Sequence, residues 1–200
     1  SFAHLLYAEN VDDVKNKVFF QQMQEKITRI SASLIFFTLE LNLIEEKQIN
    51  NLFNFEGLKK YKTWIEISRA YKPHLLDKKL EKLMKDKSIT SSVAWIRLFD
   101  ETISSLRFPF KDKKLSSAEI LNYFSDNDAS NRKEAAKSVG GVLKNHVNIF
   151  CTITNTLAKD KAINDEWREF PNPVRSRNLA NVVEDEVVDA LTNAITDSYP

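Results

Sequence analysis

Apolar residues recur at helical spacing along most of the chain. Between Val11 and Leu43 the pattern is continuous, and its second half repeats at intervals of three and four residues. The apolar positions of that half are Ile27, Ile30, Leu34, Phe37 and Leu41. This period is typical of one face of an α-helix packed against a neighbour. The sequence therefore predicts one long helix with a buried apolar stripe.

A second helical pattern runs from Tyr61 to Tyr71, and Pro73 is expected to end it because proline cannot donate a backbone hydrogen bond. Residues 48–55 lie between the two patterns and form a short connector that contains apolar residues. The connector ends at Gly57. The first two helices are therefore predicted to form a long helical hairpin.

The middle of the chain continues as helices with one exception. A third helix follows Asp77, and a fourth runs from Thr90 to Leu106. Residues 106–115 instead alternate apolar and polar side chains around a turn-like Lys-Asp-Lys, which is typical of a small β-hairpin. The predicted class is all-α, a long helical hairpin plus a helical bundle, with one small β-hairpin near 106–115.

The residues after the hairpin carry the signature of a helix N-terminus. Ser116 and Glu119 have the spacing of a capping box, in which each side chain accepts a hydrogen bond from the other residue's backbone N–H. Leu115 and Ile120 flank it at the positions of a hydrophobic staple. A helix is therefore expected to begin directly after Ser116.

One long helix is predicted over residues 129–157, with Asp126 and Asp128 as candidate caps. Gly140 and Gly141 lie in its middle, where two glycines cost about 1–2 kcal/mol of helix propensity. A close helix crossing at these glycines would explain them, and a kink is the alternative.

The last part of the chain is predicted to be an extended connector followed by a helix. Pro171 and Pro173 interrupt the helical pattern. Asn181 and Glu184 then have the spacing of a second capping box. The final amphipathic helix carries Val183, Val187, Leu191 and Ala194.

Composition excludes several function classes. The 29 Lys and Arg residues balance 28 Asp and Glu, for a net charge of +1, which argues against binding nucleic acid through bulk charge. Three glycines are too few for a glycine-rich phosphate loop. No apolar run has the length of a membrane span, and no signal peptide is recognisable. The expected location is cytoplasmic, with no nucleic-acid and no membrane partner.

Candidate chemical groups are few and dispersed. His4, His74 and His146 have no metal-binding spacing between them, and no H-E-x-x-H motif occurs. His146 lies on an apolar stripe and is expected to hydrogen bond a neighbour, while His74 at a helix boundary has a capping or a functional role. Cys151, the single cysteine, is expected to be buried and inert among apolar neighbours. No catalytic, cofactor-binding or metal-binding residue is predicted, and an unrecognised catalytic triad stays a minor alternative.

Two charged segments have both a structural and a functional interpretation. The lysines after Asp77 alternate with acidic residues and favour a solvated helix face over a nucleic-acid patch; they are Lys78, Lys79, Lys82, Lys85 and Lys87. Arg175 and Arg177 follow the prolines and have the chemistry to clamp carboxylates of a peptide or of a neighbouring domain. Structural anchoring is the favoured interpretation of both arginines.

Four groups of residues, in a fixed order along the chain, carry a resemblance to a known family. The first is Tyr71–Leu76 leading into Leu80–Leu83. The second is Ala94–Glu101, followed by Phe108–Phe110 and Leu115–Ser116. The third and fourth are Ser125–Asp126 with Arg132–Ala136, and Arg175–Asn181 with Glu186–Leu191. In this order, between residues 71 and 191, the four groups resemble the N-terminal region of the oligoendopeptidase F family of zinc metallopeptidases.

The resemblance implies a peptidase that cuts short peptides with zinc held by an H-E-x-x-H helix and a later Glu. That motif is missing from this chain, so no zinc ligand or catalytic residue is carried over. The chain is then expected to be the front portion of the enzyme, which walls and gates a channel for oligopeptide substrates and is inactive alone. The resemblance leaves cleavage specificity, the channel-lining residues and the oligomeric state open.

The predicted domains are an N-terminal helical hairpin over residues 1–74 and an oligopeptidase-F N-terminal-type domain over residues 75–200, continuing into a catalytic domain. The alternative function is a non-enzymatic helical module that binds a partner helix in an apolar groove. Its candidate anchors are Trp64, Trp95, Trp167 and Phe110, most of which are expected to lie in the core.

Overall fold

The computed structural model of the chain describes residues 2–11 and 13–199. The described residues group into two compact units, each assembled from two separate stretches of sequence. The first unit contains residues 1–29 and 87–160, and the second contains residues 30–86 and 161–200, each within the described ranges. The predicted domain boundary after residue 74 stays a prediction.

Helices make up nearly all of the regular structure. In chain order they are α1 (Phe2–Glu9), α2 (Val14–Leu43), α3 (Glu46–Leu52), α4 (Glu56–Lys59), α5 (Lys62–Ala70), α6 (Lys78–Lys87), α7 (Ser92–Ser105), α8 (Ser117–Asn122), α9 (Ala129–Asn145), α10 (Val147–Trp167), α11 (Arg175–Ala180) and α12 (Asp185–Asp197). The strands β1 (Phe108–Phe110) and β2 (Lys113–Leu115) lie between α7 and α8. The predicted class, all-α with one small β-hairpin, is confirmed.

The hairpin supplies much of the core of the first unit. β1 and β2 pair antiparallel, with Phe108 opposite Leu115 and Phe110 opposite Lys113. Side chains alternate between the two faces of a strand, so Phe108 and Phe110 are buried while Pro109 between them is exposed. The buried cluster consists of Leu106, Phe108, Phe110, Leu115, Ile120 and Ala135.

The predicted capping box at the start of α8 is confirmed. The Ser116 hydroxyl accepts a hydrogen bond from the Glu119 N–H at 3.4 Å, and the Glu119 carboxylate accepts one from the Ser116 N–H at 2.8 Å. Leu115 and Ile120, the staple residues, are both buried. This cap therefore directs Ile120 into the core of the first unit.

The expectation of a buried stripe on α2 is wrong. Ile27, Ile30, Leu34 and Phe37 are each between 52% and 58% exposed. The helix itself forms over nearly the expected range, and the Asp13 carboxylate caps it by accepting the N–H groups of residues 15 and 16. The predicted first turn includes Asp12, which lies outside the described residues. Helical spacing identifies an apolar face but does not guarantee that the described chain covers it.

The helix predicted over residues 129–157 is two helices. The break lies at His146, between α9 and α10, and not at Gly140–Gly141. His146 has a backbone φ of −113°, outside the helical range, and its Nδ1 lies 2.9 Å from the Val142 carbonyl oxygen. A Cβ added at either glycine would meet no atom of a neighbouring element within 4 Å, so among the described residues no helix crosses closely at Gly140–Gly141.

Replacing Gly140 or Gly141 by alanine is therefore expected to stabilise the protein. Both glycines are helical and have open space around them, so alanine adds helix propensity without a clash. We expect each substitution to raise the free energy of unfolding by about 0.5–1 kcal/mol. Urea unfolding followed by circular dichroism measures this. A destabilised alanine variant would show that a close neighbour needs the glycine.

Three further expectations are wrong. The connector at residues 48–55 contains most of α3, and Gly57 lies inside α4. The connector after Pro173 contains the short helix α11. The capping box predicted at Asn181 is absent, because α12 is preceded by Glu184, whose side chain makes no capping hydrogen bond. Short helices of this kind depend on tertiary contacts, which local patterns do not report.

Candidate functional site

The second unit contains an apolar groove. We call it the aromatic groove, and its volume is about 620 Å³. It is lined by Phe37, Leu41, Ile49, Leu52, Leu58, Tyr61, Trp64 and Ile65. Mostly apolar clefts of this size, with a few polar groups at the rim, are typical of binding sites.

The floor and the rim of the aromatic groove differ in exposure. Ile49 and Ile65 are buried and form its floor. Phe37, Tyr61 and Trp64 are half exposed, and the Phe37 and Trp64 rings stack with centroids 6.2 Å apart. The Lys60 ammonium lies 5.0 Å from the centre of the Tyr61 ring. The groove therefore presents aromatic faces to solvent beside a positive charge.

Arg69 holds one end of the groove in place. Its guanidinium donates hydrogen bonds to the backbone carbonyls of Leu41 and Ile44, at 2.8 and 3.0 Å, and to the Glu46 carboxylate at 2.8 Å. The Arg69 side chain is almost completely buried. The last carbonyls of a helix have no partner within it, so Arg69 caps the C-terminus of α2 and fixes it beside α5.

A buried ion pair connects two distant segments of the second unit. Arg168 donates to both carboxylate oxygens of Glu81, at 2.6 and 3.0 Å, and to the backbone carbonyl of His74 at 3.1 Å. The Glu81 carboxylate also accepts the Leu76 N–H at 3.0 Å. We call this arrangement the Glu81–Arg168 junction. Bidentate geometry makes it both strong and specific in orientation.

The junction changes the pKa of Glu81. Burial favours the neutral acid and acts to raise the pKa, but the hydrogen bonds from Arg168 and Leu76 and the positive charge of Arg168 outweigh it. The net effect is a pKa below the ordinary value of glutamate. Glu81 therefore remains ionised in a buried position, where it acts as a structural anion and is not a candidate general acid.

His74 belongs to the same junction. Its Nδ1 lies 2.8 Å from the Arg168 backbone carbonyl, so Nδ1 carries the proton and donates it. Its ring stacks on Phe170 with centroids 3.9 Å apart. The imidazole thus joins residues 72–74 to the segment after α10, and this contact is structural.

The remaining histidines and the cysteine are not brought into a reactive cluster. His4 packs against the Phe20 ring, and half-buried His146 bonds to the Val142 carbonyl as expected for it. Cys151 is exposed, which contradicts the expected buried thiol: Phe150 and Ile153 lie on other sides of α10. Within residues 2–11 and 13–199, no group of three or more His, Cys, Asp or Glu side chains is placed to hold a metal ion.

A smaller cavity of about 270 Å³ lies in the first unit, beside Tyr7. The Tyr7 hydroxyl is buried and has no hydrogen-bond partner among the described residues. Burial, together with the charges of Glu101 and Asp100, raises the pKa of Tyr7 to about 12. The phenol is therefore neutral at physiological pH, and no base among the described residues accepts a hydrogen bond from it.

The charged segments are placed mostly as structural anchors or solvated faces. The α6 lysines at positions 78, 79, 82, 85 and 87 are exposed. Arg175 lies 3.1 Å from the Asp185 carboxylate, whereas Arg177 is exposed. Of the candidate anchor aromatics, Phe110 is buried and Trp95 is half buried, while Trp64 and Trp167 are about half exposed. Only Trp64 among these four lines the aromatic groove.

Sequence reasoning missed most of the site. In the sequence, Glu81 is a single acidic residue on the lysine-rich face of a helix. Its ion-pair partner, Arg168, lies 87 residues away. The aromatic groove takes its walls from α2, α3, α4 and α5, and only Trp64 was named as a candidate anchor. The single local signal was the density of aromatic residues around Tyr61 and Trp64.

Among the described residues, no single helix combines the length and apolar content that crossing a bilayer requires. One strongly bent pair, α2 with α3 at 101°, meets the criterion by length and composition only.

Comparison with known proteins agrees with the resemblance seen in the sequence. Residues 40–108 match the family model described as Oligopeptidase F. No curated protein matches the chain. Among solved structures, oligoendopeptidase-F from Enterococcus faecium is similar, with a TM-score of 0.85 and 18% sequence identity.

That similarity covers 98% of this chain and 40% of the Enterococcus chain. At 18% identity, the structural likeness establishes the fold alone. The match of residues 40–108 adds a likeness in sequence that is independent of the fold. The resemblance of this chain to the N-terminal region of the oligoendopeptidase F family is therefore confirmed, by sequence over residues 40–108 and by fold over nearly the whole chain.

Proposed function

We propose that this chain is the N-terminal helical portion of a zinc-dependent oligoendopeptidase that hydrolyses short peptides. The observation that carries the proposal is the family match of residues 40–108, and the fold over 98% of the chain supports it. In this proposal the chain walls and gates the substrate channel. The catalytic machinery belongs to a part of the enzyme that follows it.

Zinc does not fit the residues present here. The three histidines are dispersed, and the described residues hold no cluster of three metal-ligating side chains. In the proposed enzyme, zinc is therefore bound outside this chain, and no catalytic step involves its side chains as ligands or base. In the proposed enzyme this chain forms a wall of the substrate channel, which is held by contacts such as the Glu81–Arg168 junction.

The test compares the 200-residue chain with the longer product of its coding sequence. We expect an H-E-x-x-H motif with a later Glu after Pro200, zinc bound to the longer product, and cleavage of short peptides that a chelator abolishes. The 200-residue chain is expected to bind no stoichiometric zinc and to cleave nothing. Zinc-dependent cleavage by the short chain, or a longer product without the motif and without activity, would overturn the proposal.

A second candidate function is a helical module that binds a partner through an apolar groove, and the aromatic groove favours it. A longer product without peptidase activity would favour this alternative. The cytoplasmic location and the lack of nucleic-acid and membrane partners also stay predictions. Fractionation of cells, and titration with nucleic acid and with vesicles, would test them.

A further inference from the structure

The second unit contains another cavity, which is lined by a buried side-chain amide. The cavity has a volume of about 460 Å³, and its lining comes from α2, between residues 36 and 43, and from residues 72–78. We call it the Asn42 cavity. Asn42 is 3% exposed, and it is the one buried residue in the lining that the structure describes.

One atom of the Asn42 amide is unpaired. The amide Nδ2 donates a hydrogen bond to the backbone carbonyl of Thr38 at 2.8 Å. Only the nitrogen of an amide group can donate to a carbonyl, so this contact determines which atom is Oδ1. Oδ1 is buried and accepts no hydrogen bond from the described residues. A buried acceptor without a partner is unfavourable, and water, an ion or a ligand is the usual explanation in a native protein.

The fold gains little from an amide at this position. Its one hydrogen bond among the described residues goes to Thr38, four positions earlier in the same helix, and therefore connects α2 to no other element. A leucine has a similar size and no polar atom to leave unpaired, so it would fit a purely structural role better. The amide therefore points to a bound group that donates a hydrogen bond to Oδ1.

The rest of the lining indicates what surrounds that donor. Leu39, Leu75 and Leu76 are half buried, and Phe36 is 39% exposed at the edge. The charged residues of the lining are all exposed; they are Glu40, Lys72, Asp77 and Lys78. Binding sites for small ligands typically combine such an apolar lining with a few polar groups, in a volume of about 300–1,000 Å³. The cavity therefore suits an apolar group with an N–H beside it.

One wall of the cavity is held in place by contacts within the chain. The backbone at Leu75 is extended, with φ −82° and ψ 136°. The next residue, Leu76, donates its N–H to the Glu81 carboxylate, which belongs to the Glu81–Arg168 junction. The wall is therefore formed before a ligand arrives, and a preformed site loses less entropy when it binds.

We propose that the Asn42 cavity binds an apolar side chain of an oligopeptide, while a backbone N–H of the same peptide donates to Asn42 Oδ1. A peptide supplies both features together, because every residue except proline presents an N–H next to its side chain. The choice of a peptide rests on the proposed function, in which short peptides are the substrates. The cavity is then a specificity pocket, and Asn42 is a binding residue that takes no part in bond cleavage.

The first experiment varies the peptide. Isothermal titration calorimetry measures binding of the 200-residue chain to an acetylated and amidated pentapeptide, with phenylalanine at its centre and alanine elsewhere. Serine at the centre should weaken binding by about ten-fold or more, because the apolar contacts are lost. In two further analogues, an ester oxygen replaces the N–H of the phenylalanine or of the next residue. One of them should also bind about ten-fold more weakly, because Oδ1 is again unpaired.

The second experiment varies the protein. Asn42→Leu should bind the amide peptide about ten-fold more weakly than the wild type, and it should no longer distinguish the amide from the ester. Its free energy of unfolding should not decrease, since the substitution removes a buried unpaired atom. The matched control is Asn145→Leu, because Asn145 is exposed on α9 and does not line the cavity. This control should bind like the wild type.

The ester comparison needs no substitution in the protein, so it holds whatever Asn42→Leu does to the fold. Equal binding of the amide and both ester peptides to the wild type would overturn the proposal, and would show that water alone pairs with Oδ1. Wild-type binding by Asn42→Leu, or no binding of any peptide, would overturn it too. Peptide binding without peptidase activity in the longer product would instead overturn the proposed function alone.

Discussion

Glu81→Gln is expected to lower the free energy of unfolding by about 3 kcal/mol. The substitution keeps the shape of the side chain but removes its charge, leaving the Arg168 guanidinium without its anionic partner in a mostly buried position. Removing one member of a buried ion pair typically costs about 3–5 kcal/mol, because the remaining charge is uncompensated. Urea unfolding at pH 7, followed by circular dichroism, measures the effect.

The matched control is Glu56→Gln. Glu56 also pairs with a basic residue, Lys59, but both side chains are largely exposed. Exposed pairs contribute about 0–1 kcal/mol, so this variant should be close to wild type. Equal effects of the two substitutions would show that the Glu81–Arg168 junction is not a stabilising contact.

The same junction predicts a dependence of stability on pH. The folded-state pKa of Glu81 lies below its ordinary value of 4.5, so the unfolded chain takes up a proton first as the pH falls. The stabilisation from this carboxylate is therefore fully present above that ordinary value and is lost as the pH decreases through the folded-state pKa. In Glu81→Gln, this contribution to acid sensitivity should be missing. If the free energy of unfolding of Glu81→Gln depends on acidic pH in the same way as that of the wild type, the ionised Glu81 carboxylate does not stabilise the folded chain.

Ile120→Ala is expected to lower the free energy of unfolding by about 3 kcal/mol. The Ile120 side chain is completely buried, within the cluster formed by the β-hairpin, α8 and α9. Truncating a buried isoleucine removes its apolar contacts and leaves a cavity, at a typical cost of about 2–5 kcal/mol. Urea unfolding of the variant measures this cost.

Leu121→Ala is the control, because Leu121 is the next residue on α8 and is 52% exposed. Its truncation should cost well under 1 kcal/mol, since surface substitutions away from special features have small effects. If the two variants lose the same stability, Ile120 is not the core residue that connects α8 to the hairpin.

Features that depend on a few neighbouring residues could be predicted from the sequence. The capping box of Ser116 and Glu119 has the predicted partners, because both hydrogen bonds form within one helical turn. The β-hairpin has the predicted location, since strand alternation and a turn lie within ten residues. Most long helices appear near their predicted ranges for the same reason: their period is a local property.

Predictions that required knowledge of neighbours failed. The apolar stripe of α2 has helical spacing, yet it is exposed in the described chain. The break between α9 and α10 lies at His146, although the glycines at 140 and 141 have the lower helix propensity. Cys151 is exposed despite apolar neighbours, because adjacent residues on a helix point in different directions.

The amino-acid sequence alone was sufficient for the all-α class, the small hairpin and the resemblance to the oligoendopeptidase F family, since these depend on local periods and on the order of short motifs. It was not sufficient for the aromatic groove or for the Glu81–Arg168 junction. Their residues come from separate segments, and 87 positions separate Glu81 from Arg168. No local pattern encodes such contacts, because they form only when tertiary packing has brought distant helices together.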